Sequence, residues 1–381
     1  DTAALIVAGI GTDSTALLEA TNVTANTNAN FTEAVTLAGL SQAITYNISD
    51  GQANIPGSTT IVINKAANIT ITDNVTFAQA KIIDDGSNSG TNTYNISDTA
   101  ANIVAGISSS TAAINGAGTV TSSNNATASQ ANSLAGITKA IIYSVSDTAS
   151  NISGANANAL NEAVNIASTD SCTFAQAKVI EDATNSGTIT YNISDTAANI
   201  AAGIVSDSLV IAGATTIAAS TYATTAQAET ISGVTETIEY SISDTAANIA
   251  GGSATALSEA NILYFTSQAT TAQFNTVNAA TSGTIVLSEG MGDSVLAFSA
   301  ADGTATTALT NVDTEDPDCV ITVTTLANSA QIATISGKTK FFFGRKPYSS
   351  NLLLEIGDKP LILNFFNFFD ILLFIKKIKR T

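Results

Sequence analysis

Tyr94-Asn95-Ile96-Ser97-Asp98-Thr99-Ala100-Ala101-Asn102-Ile103 decides the fold, because the chain keeps returning to it. It recurs as Tyr191–Ile200, closely as Tyr143–Ile152 and Tyr240–Ile249, and more weakly from Tyr46. The chain opens inside a further copy, which predicts that the true N-terminus lies upstream of Asp1. The shared aspartates Asp1, Asp50, Asp98, Asp147, Asp195 and Asp244 are separated by 49, 48, 49, 48 and 49 residues. A fixed period of that size marks a stacked array.

A second marker lies between the first. Thr76-Phe77-Ala78-Gln79 is matched at Thr127–Gln130, Thr173–Gln176, Thr224–Gln227 and Thr270–Gln273, with Asn30–Glu33 as a variant. Each has the Ser/Thr/Asn-x-x-Gln/Glu form of a capping box, in which the first and fourth side chains satisfy each other's backbone N–H. Successive boxes lie 46, 51, 46, 51 and 46 residues apart, so the larger unit is a pair of repeats, 97 residues long.

The local periods assign the elements. Tyr-x-Ile before each Asp alternates as a strand does. After the Asp, Ala100, Ile103, Val104 and Ile107 fall on one helical face, as do Ala197, Ile200, Ala201 and Ile204. The Asp stands at the junction, where its carboxylate can accept from the first free helix N–H groups. Gly106 and Gly203 then end the helix or bring backbones close. Ile69-Thr70-Ile71 and Val164-Asn165-Ile166 read as the second strands, and Phe77, Ala80 and Ile83 as the second helix.

The expected fold is therefore an α/β repeat solenoid of strand–helix–strand–helix units. Its parallel strands are joined by right-handed crossovers, with two turns in each repeat of about 48 residues. Strands stack about 4.8 Å apart while helices need about 8–10 Å, so Ala and Gly are required for close approach or the stack must curve. An all-β solenoid, with the helices reduced to turns, is the alternative. The expected organisation is a repeat region over 1–290, in units 1–49, 50–97, 98–146, 147–194, 195–243 and 244–290. A degenerate repeat or cap follows over 291–337. There Ser282-Gly283-Thr284-Ile285 echoes Ser186-Gly187-Thr188-Ile189, but Met291 stands where an Asp is expected. An acidic loop over Val312–Cys319 precedes a strand over Val320–Thr324.

Charge is segregated. Only Lys65, Lys81, Lys139 and Lys178 precede residue 338, against 28 acidic residues, whereas the last 44 residues carry nine Lys and Arg and three acids. A body this acidic repels nucleic-acid phosphates and anionic membranes. From Lys338 the composition turns to Phe, Leu, Ile and Lys. Two readings of 338–381 stand: a membrane anchor over 361–380 with a basic stop-transfer cluster, or translation out of frame. The apolar run Leu361–Ile375 contains Asn364, Asn367 and Asp370 and is short for a span.

The aspartates are the main candidates for chemistry. Asp50, Asp98, Asp147, Asp195 and Asp244 would form a row of carboxylates that could ligate Ca²⁺, or each could simply be a helix N-cap. A spacing of about 10 Å, two strand steps, favours the cap. Asp316 and Asp318 form a separate calcium candidate, and no other cofactor is expected. Catalysis is disfavoured: the chain has no His, removing the usual general base and zinc ligand. Asp84-Asp85 and Glu181-Asp182 read as solvated helix ends. Cys172 and Cys319 sit at non-equivalent places and form no disulfide framework. The Asn-x-Ser/Thr triplets at Asn47, Asn95 and Asn192 fall inside strands and do not read as glycosylation sites.

The Tyr-x-Ile-Ser-Asp-Thr-Ala-Ala-Asn-Ile-Ala phrase resembles repeats of very large bacterial secreted and cell-surface proteins, adhesin-like and repeats-in-toxin-associated, of cyanobacteria and marine bacteria. The resemblance covers about residues 1–290. It implies a non-catalytic structural or adhesive region, extracellular or at the cell surface, with an unknown surface or matrix ligand as partner. It implies no nucleic acid, and a membrane only through a genuine 361–380 anchor. The Gly-Gly-x-Gly-x-Asp calcium motif of such proteins is absent, so calcium binding does not carry over. A calcium-binding solenoid module and a carbohydrate-active enzyme on a solenoid are the alternatives. An ice-binding face is disfavoured because Thr-x-Thr rows are irregular.

Overall fold

The computed structural model describes residues 1–12, 14–55, 60–325, 327–337, 340–343, 352–356 and 359–363. It is mixed α/β, built from short parallel strands and short helices, with no closed barrel among the described residues. The helices are regular and capped, which sets aside the all-β alternative. The chain divides into two compact units, 1–192 and 193–381.

In the first unit, Asn22–Thr24 pairs with Ala43–Thr45. The strands Ile48–Asp50, Ile69–Val75, Asn92–Asp98 and Val120–Ser122 form one sheet in chain order, and Val145–Asp147 pairs with Ile166–Cys172. In the second unit, Ile193–Asp195 pairs with Ile217–Ala219, and that strand with Ile238–Glu239. Ile242–Asp244, Ile262–Phe265 and Thr284–Val286 follow, then Met291–Asp293, Val320–Val323 and Lys340–Phe343. Among the described residues every pairing is parallel except the hairpin Leu352–Ile356/Lys359–Leu363 and the bridge Ser299–Ala305. Within each sheet, paired parallel strands are consecutive in sequence and joined by a helical crossover, except Lys340–Phe343 with Lys359–Leu363.

The helices start where the capping boxes predicted. All six boxes form with both reciprocal bonds, at Asn30, Thr76, Thr127, Thr173, Thr224 and Thr270. A seventh, unforeseen, opens Ser329–Ser336 from Asn328. After each Asp, however, the crossover holds two helices, not one: Ala100–Ser109 then Thr111–Gly116, and Ala149–Ser153 then Ala157–Asn161. The second unit repeats this with Ala197–Ser206/Ser208–Ala212 and Ala246–Gly251/Ala254–Glu259. The extra helix is five or six residues long, too short to display a helical period.

The repeated tyrosine explains how that short helix is held. Tyr46, Tyr94, Tyr143 and Tyr240 are fully buried, and their hydroxyls donate to the carbonyls of Val62, Ala113, Ala159 and Ala256 at 2.8–2.9 Å. A buried phenol needs such a partner. Burial pushes Tyr46, Tyr143 and Tyr240 up to about 12. Around them lies a thin core of Ile, Val and Ala, with Ile48 opposite Ile69, and Val75, Ile96 and Val120 opposite one another on successive strands.

Gly106 lies in mid-helix and does not end it. A Cβ there would stand 2.5 Å from the Phe77 ring, so it serves the close-approach role. Of the face expected after Asp98, Ala100 and Ile103 are buried, whereas Val104 and Ile107 are half-buried because Gly106 takes the most inward place. In the acidic stretch over 312–319, the helix Thr307–Glu315 replaces much of the expected loop, and the strand beyond it forms as Val320–Val323. The anchor reading falls almost wholly on 364–381, outside the described residues. Among the described residues no helix is long and apolar enough to cross a membrane.

Candidate functional site

Asp98 shows what the repeated carboxylate does. Its Oδ1 accepts from the Thr99 amide and the Asn102 side chain, each at 2.8 Å. Its Oδ2 accepts at 3.0 Å from the amide of Phe77, the first residue of the preceding crossover helix. The N-cap of its own helix is Thr99. The expectation of a simple N-cap is therefore corrected: the Asp stands one residue earlier and joins two successive helix starts.

The same clasp recurs. Asp50 holds Phe31, Gly51 and Asn54; Asp147 holds Ala128, Thr148 and Asn151. In the second unit Asp244 holds Thr225, Thr245 and Asn248, and Asp195 holds Thr196 and Asn199. The Asp-x-x-x-Asn spacing of the repeat phrase is the sequence trace of this geometry. Met291 is likewise not a lost aspartate. Asp293, 49 residues after Asp244, accepts from the Thr271 amide and hydroxyl and from the Ser294 amide.

The alternate helices are capped the same way by residues that sequence reasoning passed over. The amide of Gln52 donates to Asp73, Ala100 to Asn124, and Ala149 to Asp170. In the second unit, Ala197 donates to Thr221, Ala246 to Ser267 and Val295 to Thr325. Ala3 donates to Thr27. Thr27, Asn124 and Thr221 are 97 residues apart, and so are Asp73, Asp170 and Ser267. Only a short side-chain oxygen is required, so residue identity drifts while position holds. The carboxylate row is consequently not one in every second turn, since Asp73 stands between Asp50 and Asp98.

Electrostatics follow from these bonds. Burial pushes the Asp50, Asp147, Asp244 and Asp293 carboxyls up, but their amide, Asn and Thr donors outweigh it and hold each below the ordinary 3.8. A calcium ion at these aspartates would compete with protein donors already in place. Among the described residues no group of three or more Asp, Glu, Cys or His is placed to hold a metal. Asp316 accepts from the Leu287 amide at 2.9 Å, and Asp318 is exposed in the turn before Val320.

The other polar motifs are also tied down. Asn47 accepts from the Asn68 amide, Asn68 from Thr91, Asn95 from Thr119 and Asn165 from Thr188, a second ladder at the strand entrances. Lys65 donates to the Ala38 and Leu40 carbonyls and Lys139 to those of Ala117 and Gly118. Lys81 pairs with Asp85 at 2.8 Å and Lys178 with Asp182 at 3.3 Å, at helix ends. Burial and the Asp85 charge push Asp84 up against Lys81. Cys172 and Cys319 are buried and free, and burial raises both thiols, Cys319 to about 12. Cys172 fills the place of Val75, 97 residues earlier. No protein-family model, curated protein or solved structure matches this chain.

Proposed function

We propose that the chain is a repeat solenoid serving as a non-catalytic structural or adhesive region of a large extracellular bacterial surface protein. The observation that carries this reading is the side-chain capping of one helix start by the following turn, repeated in both units by Asp, Asn, Ser or Thr. That device adds a turn without altering the last, which is what a spacer of selectable length requires. The recurrent polar groups are engaged in holding turns together, which supports a structural role over acid–base work.

Single-molecule pulling on the full chain tests this. An array peels repeat by repeat, so the force trace should show regular length gains of about 340 Å per 97-residue module, or even fractions of it. One all-or-none rupture of the whole repeat region would reject the reading.

A further inference from the structure

In each 97-residue module a two-residue excess interrupts the parallel ladder, and in two of the modules a recess opens there. Ala218 pairs with Glu239 and Ala223 bridges to Ile242, so five residues on one strand oppose three on the next. The two surplus residues push Ser220–Tyr222 outward as a wide bulge. Thr121 with Ile142 and Ala126 with Val145 repeat this one module earlier, as do Thr24 with Thr45 and Ala29 with Ile48. Beneath the bulge lies a recess of about 240 Å³ in the second unit and about 210 Å³ in the first. Drug-sized ligands occupy about 300–1,000 Å³, so each recess suits a single small group.

The repeat supplies its own control on what the recess carries. At equivalent positions the first module has Asn28, Thr45 and Thr70, and the second has Asn125, Ile142 and Ala167. The third has Tyr222, Glu239 and Tyr264. Tyr222 and Glu239 line the recess, and Tyr264 stands beside Tyr222 at its edge. The rings of Tyr222 and Tyr264 lie 6.0 Å apart, tilted by 47°. Tyr222 is 49% exposed, unlike the five buried repeat tyrosines. Among the described residues neither of these two hydroxyls nor the Glu239 carboxylate has a hydrogen-bond or ion-pair partner.

We infer that this recess binds an organic ammonium group, a quaternary or alkylated amine, against the Tyr222 ring, which Tyr264 backs from beside the recess, with Glu239 as its counter-charge. Aromatic faces within about 6 Å attract a cation through the ring quadrupole, and quaternary ammonium groups exploit this most fully because they are weakly hydrated. The acidic body, with 28 acids against four lysines before residue 338, concentrates cations and repels anions. Thr221 is committed to capping Ala197 and anchors the bulge from below. The inference goes beyond the spacer reading and stands or falls independently of it.

Choline chloride titrated into the full chain, followed by calorimetry and ligand-observed NMR, tests the site. Saturable binding is expected, and none for 3,3-dimethylbutan-1-ol, the uncharged carbon isostere. Tyr222→Asn, Tyr264→Ala and Glu239→Gln should each weaken binding roughly three- to thirtyfold. The first two install residues the second module carries at the same places, so the fold is kept, and an unchanged circular dichroism melt verifies this. Phosphatidylcholine and phosphatidylglycerol vesicles form the second arm. Retention on the former alone assigns a lipid headgroup as source, and retention on neither assigns a free ammonium compound. Equal binding of the isostere, no saturation with choline, or affinity untouched by all three substitutions would overturn the assignment.

Discussion

Replacing Asp147 by Ala removes three hydrogen bonds at once, and their distribution makes the outcome diagnostic. Oδ2 accepts from Ala128, which starts one helix, while Oδ1 accepts from Thr148 and Asn151 at the start of the next. Losing a helix cap costs about 0.5–2 kcal/mol, and bonds to an ionised acceptor sit toward the upper end. Two helix starts are affected, and water reaches the half-exposed site, so the expected cost is about 2–4 kcal/mol. Asp147→Asn keeps one acceptor oxygen and should cost about half as much. Because an array need not unfold in two states, the decisive assay is residue-resolved hydrogen exchange. Asp147→Ala should deprotect Ala128 as well as Thr148. Loss confined to Thr148–Asn151, with Ala128 unchanged, would refute the joining of successive turns and leave only a local cap.

The acid limb of stability follows from the same groups: Asp50, Asp147, Asp244 and Asp293 are held below 3.8 when folded, so their contribution is complete above the ordinary carboxylate range and lost as pH falls through it. Melting temperature should drop steeply below about pH 4, and less so in Asp147→Asn. On the alkaline side, Tyr46, Tyr143 and Tyr240 are raised from 10 to about 12, so their contribution is full below pH 10 and fades toward 12. Absorbance titration should find these phenols ionising together with unfolding. Gly106→Ala should destabilise by about 1–3 kcal/mol despite the better helix former, because its Cβ meets Phe77, and Phe77→Leu should restore part of the loss. Millimolar Ca²⁺ against chelator should leave the melt unmoved; a rise of several degrees would revive a calcium site.

What could be read from the sequence was whatever depends on residue identity. The Thr-x-x-Gln boxes need a particular pair of side chains, so they recur visibly and form as expected. The Asp before each helix was legible as a cap, but its reach back to Phe77 or Ala128 was not, because that bond joins residues 19–21 positions apart. Asp73, Asn124, Asp170, Thr221 and Ser267 escaped notice because any short oxygen acceptor suffices there. The second crossover helix was missed because Ser110, Asn156 and Asp207 make no capping bond and leave no signature. Asp293 is masked because Ser282–Ile285 echoes Ser186–Ile189 at 96 residues, whereas the aspartate itself keeps the 49-residue step from Asp244. The bulges at Ser220–Tyr222 and its counterparts come from a two-residue excess that no side-chain pattern announces.

The proposed solenoid would add turns along one axis, and lengthening the chain by one module tests that proposal most directly. Inserting a second copy of residues 98–194 after residue 194 adds four strand steps of about 4.8 Å, about 19 Å in all. Small-angle scattering of the two proteins should show the longest dimension growing by that amount with the cross-section unchanged. Equal growth in every direction, as a globule of larger mass would give, would contradict the account.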